Sequence, residues 1–293
     1  MNVYEVITER IVGLLEKGEV PWRRPWGRTP PRNGEYGNAY RGINAFMLNA
    51  AGHANPNWLT FRQAIRMGGN VRKGERGLPV VKWIFHDEDA DEGKKGRGRP
   101  PTLLYFTVFN VEQCEGLDMA RFADPAAARE HAPVEDAERV VAGMPKPPPR
   151  ATGDRASWNV ETDVVTMPPA ETFRSAEAYY RTLFHELVHS TAHATRLARR
   201  EGPAGFGSEG YGREELVAEM GAAFLAGAAG VDGSEGMEQS AAYVRGWLKA
   251  IRDDPRAVVI AAAQAQKAAD WILGRKFEDK GEAVAEAAVA VAG

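Results

Sequence analysis

Residues 179–193 read YYRTLFHELVHSTAH, and the second half of the chain is organised around this stretch. It lies in a helical pattern expected to span residues 176–195. On a helix, residues four apart stand one turn apart on the same side, about 6 Å along the axis. His185 and His189 can therefore offer two imidazoles to one ion. Glu186 sits one step around the helix, within reach of water at an open coordination position. Neutral imidazoles hold a cation without cancelling its charge. The cation lowers the pKa of bound water toward ~7, and a carboxylate takes the proton. Leu187 and Val188 between them are uncharged, as a helix buried behind such a site requires. Zn2+ is the expected ion, with another divalent transition metal as the substitute.

The third ligand is expected downstream, in YGREELVAEMGAAFLAGAAG at residues 211–230. This small-residue helix carries Glu215 and Glu219 one turn apart. One can complete a two-histidine, one-glutamate site while the other hydrogen-bonds a ligand imidazole from outside. The spacing matches the glutamate-type zincins, in which the first acid binds the ion, so Glu215 is assigned as ligand and Glu219 as the outer partner. Tyr211, one turn before Glu215, is a candidate catalytic donor to an oxyanion, with a packing role equally open. His193 extends the series to HExxHxxxH, but it lies about 12 Å along the axis from His185, too far to share the ion easily. It is read as a helix-terminal residue.

Further outward, the chain divides by charge. Residues 1–84 hold 13 Lys and Arg against 6 Glu, a net +7, while the remainder holds 24 basic and 34 acidic residues, a net −10. A basic module on an acidic remainder points to a polyanionic partner for the first module. Within it, PWRRPW sets Trp22 and Trp26 around Arg23 and Arg24. Tyr40-Arg41, Asn44, Trp58, Arg62, Lys73 and Lys82 follow. Aromatic faces interleaved with cations suit single-stranded nucleic acid, where bases stack and cations follow phosphates. Trp22, Arg23, Trp26, Arg41, Asn44, Trp58, Arg62, Lys73 and Lys82 are the expected DNA contacts. Trp83 and Phe85, on an apolar strand, are expected in the core.

The 293 residues suit two domains. Hydrophobic residues at 44% and charged residues at 26% are ordinary for a globular chain. A single cysteine, Cys114, excludes an internal disulfide framework and is read as a small core or loop residue. No apolar run approaches the roughly 20 residues that span a bilayer. The first 18 residues lack a signal peptide's layout. A cytoplasmic protein without membrane association is expected. The predicted class is α+β: an N-terminal α+β domain over residues 1–120, a mainly helical domain with a small edge sheet over 121–280, and a low-complexity tail over 281–293. Strands are predicted at 78–85 and 103–111, joined by a charged loop, with a hairpin or edge strand pair at 157–167.

Several blocks together resemble a known family. VYEVITERIVGLLEKGEVPWRRPW, YRGIN, NWLTFRQA, GGNVRKGERGLPVVKW and FTVFNVEQCEGL look like the N-terminal domain of ArdC-type antirestriction proteins, which also begins certain conjugation primases. VVTMPPAETF, YYRTLFHELVHSTAHATRL and YGREELVAEMGAAFL resemble the same family's zincin-like metallopeptidase domain. The resemblance covers nearly the whole chain in order. It implies a plasmid- or phage-borne protein that binds single-stranded DNA and shields incoming DNA from host restriction, with restriction-modification components as further candidate partners. No primase catalytic region follows, so a primase is not expected.

Two readings compete. One is a metallopeptidase targeted by its DNA-binding domain. The other is a DNA-coating protein whose metal is structural or whose peptidase has lapsed. A nuclease fits less well, because the carboxylate-rich two-metal pattern is missing from the sequence.

Overall fold

The computed structural model describes residues 3–23, 29–84, 102–123, 132–199, 209–231 and 241–275. The first half opens on α1 (Val3–Glu16), whose buried Ile7, Ile11 and Leu15 repeat at one-turn spacing. Gly18, at a φ of 78°, turns the chain out of the helix and into a single 3-10 turn at Pro21–Arg23. Then come β1 (Arg32–Asn33), α2 (Ile43–Ala50), β2 (Asn57–Thr60), α3 (Phe61–Arg66), β3 (Asn70–Val71), β4 (Leu78–Ile84), β5 (Thr102–Asn110) and β6 (Cys114–Glu115). Thr60 starts α3 by a capping box: its hydroxyl accepts from the Gln63 amide while the Gln63 side chain accepts from the Thr60 amide. The main sheet runs β1-β2-β5-β4, parallel between β1 and β2 and antiparallel elsewhere, while β3 and β6 form a separate ribbon.

The second half contributes α4 (Pro133–Gly143), β7 (Arg150–Thr152), β8 (Ser157–Asn159), β9 (Val164–Met167), α5 (Ala176–Ser190), α6 (Glu209–Ala229), α7 (Ala241–Asp253) and α8 (Ala257–Ile272). A three-stranded sheet, β7-β9-β8, flanks these helices. The fold is α+β. Ser175 caps α5, its hydroxyl accepting from the Ala178 amide. The helix ends at Ser190 rather than near residue 195, because side chains claim its last carbonyls. Ser190 Oγ donates to Leu187 O at 2.7 Å, Thr191 Oγ1 to Val188 O at 2.6 Å and Arg196 Nε to Ser190 O at 2.7 Å.

The packing does not stop at the boundary expected near residue 120. Two small clusters belong to the first half alone, one around Leu59, Val111 and Phe122 and one around Leu48, Trp58 and Val108. The largest core, however, joins Ile7, Ile11, Trp22, Ile43 and Phe46 to Leu183, Leu187, Met220, Trp247, Val258 and Ala265. Trp22 meets Trp247 edge-on with ring centroids 5.4 Å apart, and Phe46 meets Phe224 at 4.5 Å. Polar contacts follow the same seam: Thr8 Oγ1 donates to Pro255 O at 2.6 Å, and Arg41 pairs with Asp270.

Helix α6 is buried along most of its length, and its alanines and glycines let neighbours approach. Gly221 packs directly against Val188 of α5, which draws the acids of α6 toward the histidines of α5.

Candidate metal centre

His185 and His189 project from α5 so that their Nε2 atoms lie 3.1 Å apart. Glu215, from α6, places Oε2 3.5 Å from His185 Nε2 and Oε1 3.5 Å from His189 Nε2. Two nitrogens each bonded to a tetrahedral ion at 2.0–2.1 Å stand roughly 3.3 Å apart, close to the spacing seen. The two imidazoles and one carboxylate are thus a donor set that fits a divalent cation, and they form the single such cluster among the described residues.

Each imidazole is backed by a carboxylate, and each carboxylate by a guanidinium. His189 Nδ1 lies 3.1 Å from Glu214 Oε1, and Glu214 pairs with Arg199. His185 Nδ1 makes no hydrogen bond among the described residues; its nearest carboxylate is Glu219, whose Oε1 lies 4.0 Å away and which faces Arg23 at 3.4 Å and Arg181 at 3.6 Å. Outer carboxylates of this kind orient a ligand imidazole and fix which nitrogen carries the proton. Glu214 has no counterpart in the sequence reading; its one local signal is the adjacent acid pair at 214 and 215. Glu186 is buried beside His185, and no hydrogen bond or ion pair among the described residues engages its carboxylate.

The electrostatics favour a cation at the centre. Burial works against a charged His189 imidazole, but Glu214 and Glu215 outweigh it and hold its pKa up to about 10. Burial likewise pushes the Glu215 carboxyl up, yet His185 and His189 hold it well below the usual carboxylate range. The carboxylates thus favour positive charge at this place; an ion bound here would displace the proton from His189, because a ligand imidazole is neutral.

Tyr211 falls in the first part of α6, but its side chain lies outside the described residues, as do the whole of Trp26 and Phe85 and the side chain of Trp83. His193 sits past the end of α5, with Nδ1 2.8 Å from Thr195 Oγ1, away from the cluster.

The expected DNA contacts divide. Trp22 and Trp58 are 0% and 1% exposed, which corrects their reading as stacking platforms: both are core residues with no free face. Asn44 is half-buried and engaged, its side chain donating to Val81 O at 2.7 Å and accepting from Val81 N at 2.8 Å. Arg23 and Arg41 turn inward to Glu219 and Asp270. Lys82 is half-buried, whereas Arg62 and Lys73 are exposed. The exposed aromatics of this half are Tyr36 and Phe61, each 47%, and Tyr105 at 54%, among the described residues. Phe61 stands between the two expected contacts Trp58 and Arg62, and it and Tyr36 were missed because residue type does not distinguish an exposed ring from a buried one. Exposed Arg66, Arg72 and Arg76 belong to the same half. Among the described residues no helix is long and apolar enough to cross a membrane.

A histidine pair on one helix facing a glutamate on the next defines a zincin-like centre, and residues 135–264 match the family described as zincin-like metallopeptidase. Residues 1–109 match the N-terminal domain of anti-restriction factor ArdC. The crystal structure of antirestriction ArdC protein from the R388 plasmid, in its Mn(II)-bound form, aligns with a TM-score of 0.76 at 35% identity, covering 94% of this chain and 98% of that one. The metal-free form aligns with a TM-score of 0.74 at 36% identity, covering 94% and 100%. An uncharacterized protein of Sinorhizobium fredii, y4eC, is 35% identical over 94% of this chain and 93% of its own. Two DNA primases TraC of Escherichia coli are 38% identical over 94% of the chain, which spans 20% of one and 27% of the other. The chain belongs to the ArdC-type antirestriction family.

Proposed function

We propose that this protein binds single-stranded DNA through its first half and hydrolyses peptide bonds at the His185–His189–Glu215 centre, protecting incoming DNA from host restriction. The observation that carries the reading is the convergence of two Nε2 atoms and one carboxylate, with a buried acid, Glu186, next to His185 in the chain. A divalent ion, zinc or another transition metal, would be held by His185, His189 and Glu215 and would supply Lewis-acid activation of water and of a peptide carbonyl. Glu186 would take the proton from the attacking water onto its carboxylate and return it to the leaving amine. Glu214, 3.1 Å from His189 Nδ1, would hold that imidazole in register, and Glu219 would do the same for His185 once it closes the 4.0 Å to Nδ1. A centre that only braces the fold has no use for a buried carboxylate that, among the described residues, has no ion-pair partner.

DNA binding would rest on the exposed surface rather than on the buried tryptophans. Tyr36, Phe61 and Tyr105 supply faces on which bases can stack, and Arg62, Arg66, Arg72, Lys73 and Arg76 supply charge for phosphates.

The test is a comparison of wild type with Glu186→Gln, in restriction protection and in whole-cell proteomics. Loss of protection together with stabilised host proteins is expected. A Glu186→Gln protein that protects as well as wild type would replace this reading with that of a DNA-coating protein.

A further inference from the structure

The two histidines are supported by parallel chains of carboxylate and guanidinium, but the chains differ in origin. The His189 chain, Glu214 and Arg199, is built wholly from the second half. In the His185 chain, Glu219 is held from both sides. Arg181, one turn before His185 on α5, faces Oε2. Arg23, 196 residues before Glu219, faces Oε1, the same oxygen that points at His185 Nδ1. We propose that Arg23 is a positioning residue of the metal centre, so that the first half of the chain supplies part of the support for a ligand of the second.

Three observations carry this. Glu219 is buried, and a buried carboxylate needs cations around it to offset its lost hydration. With Arg23 3.4 Å from Oε1 and Arg181 3.6 Å from Oε2, the carboxylate is held between two guanidiniums, and Oε1 stays on the His185 side, 4.0 Å from an Nδ1 that has no other partner among the described residues. Arg23 is itself anchored, because the preceding Trp22 is buried between Trp247 and Phe46. Without Arg23, Arg181 alone would grip Oε2 and leave Oε1 free to swing away from Nδ1.

The inference rests on the metal-site reading, and the test separates the two. Mn(II) is titrated into the full-length protein, and free ion is followed by its electron paramagnetic resonance signal. Wild type, Glu215→Ala, Arg23→Ala, Arg23→Lys and Arg41→Ala are compared, each with a thermal melt. Removing a carboxylate that directly backs a ligand costs 10–100-fold in metal affinity, so loss of Arg23, one contact further out, is expected to weaken binding about three- to tenfold. Arg23→Lys, which keeps the charge, should recover most of that loss. Arg41→Ala cuts another ion pair between the halves, with Asp270, and should leave Mn(II) affinity unchanged. Wild-type affinity in Arg23→Ala, with binding abolished in Glu215→Ala, would overturn the positioning role and leave the metal site standing. Equal weakening in Arg41→Ala would overturn it too, as a general effect of loosening the seam. Equal binding by wild type and Glu215→Ala would remove both readings.

Discussion

A Cβ placed on Gly221 would stand 2.7 Å from Val188 Cγ2 and 2.8 Å from Cγ1, so α5 and α6 meet at a distance that any other residue forbids. Val188 precedes His189, and Gly221 lies six residues after Glu215. The contact therefore governs the gap between imidazoles and carboxylate. Gly221→Ala is expected to destabilise the fold by about 1–3 kcal/mol, the usual range for overpacking. It should also weaken metal retention. Urea melts would check the first effect and metal analysis after dialysis the second. Adding Val188→Ala, which removes the opposing methyls, should recover part of both.

The ligand assignment separates three neighbouring acids. Glu215→Ala should lose nearly all bound metal, whereas Glu214→Ala and Glu219→Ala should lower affinity by about 10–100-fold. Titration of each variant with a competing chelator measures this. Retained metal in Glu215→Ala, alongside its loss in Glu219→Ala, would reverse the roles.

How much of this was legible in the sequence follows from the range of each signal. His185 and His189 share one turn of one helix, so their spacing alone predicts that they face together. Glu215 and Glu219 also share a helix, and their spacing suggests a division of roles; in the structure Glu215 comes within 3.5 Å of His185 Nε2 and Glu219 within 4.0 Å of Nδ1. Trp22 and Trp58 were misread because residue type and neighbouring arginines look alike for a stacking platform and a core anchor. Burial decides between those, and it depends on α7 and on the main sheet. Arg23 and Glu219 meet across 196 residues, and no local pattern encodes such a contact.

Nucleic-acid binding should follow exposure. Trp22→Ala and Trp58→Ala should lower the melting temperature, with any change in DNA affinity tracking the loss of folded protein. Phe61→Ala and Tyr36→Ala should do the reverse. A side chain on which a base stacks contributes about 1–3 kcal/mol, a loss of roughly tenfold or more in affinity. Arg62→Ala and Lys73→Ala should each flatten the salt dependence. Fluorescence anisotropy with matched single- and double-stranded oligonucleotides measures all of these. Equal affinity for the two forms would return the basic surface to a general polyanion role.

Asp163 gives a pH signature outside the metal centre. It sits at the β8–β9 turn with a φ of 54°, accepts from Trp158 Nε1 at 3.0 Å and pairs with Arg196. Partial burial pushes its carboxyl up, but Arg196 and Trp158 outweigh this and lower its pKa. A depressed folded-state pKa stabilises above the unfolded value, and that contribution disappears as pH falls through the folded one. Asp163→Asn, which tolerates the same backbone, should therefore melt earlier than wild type at neutral pH. The gap should close as the pH drops below the ordinary aspartate range. A constant gap down to strongly acidic pH would rule out the ion pair as its cause.

A fragment ending near residue 120 would leave Ile7, Ile11, Trp22 and Phe46 without their partners on α5–α8. It is expected to aggregate or to melt without cooperativity, and to regain a sharp transition when co-expressed with residues 121–275. Circular dichroism melts of the fragment alone and of the pair provide the comparison.

The common core also bears on inheritance. Trp22 packs on Trp247 and Phe46 on Phe224, so recombination that swapped one half for a distant cousin's would be expected to leave holes and clashes along the seam. In the TraC primases the similar stretch spans 94% of this chain, both halves in order, as one cassette inside a much longer polypeptide.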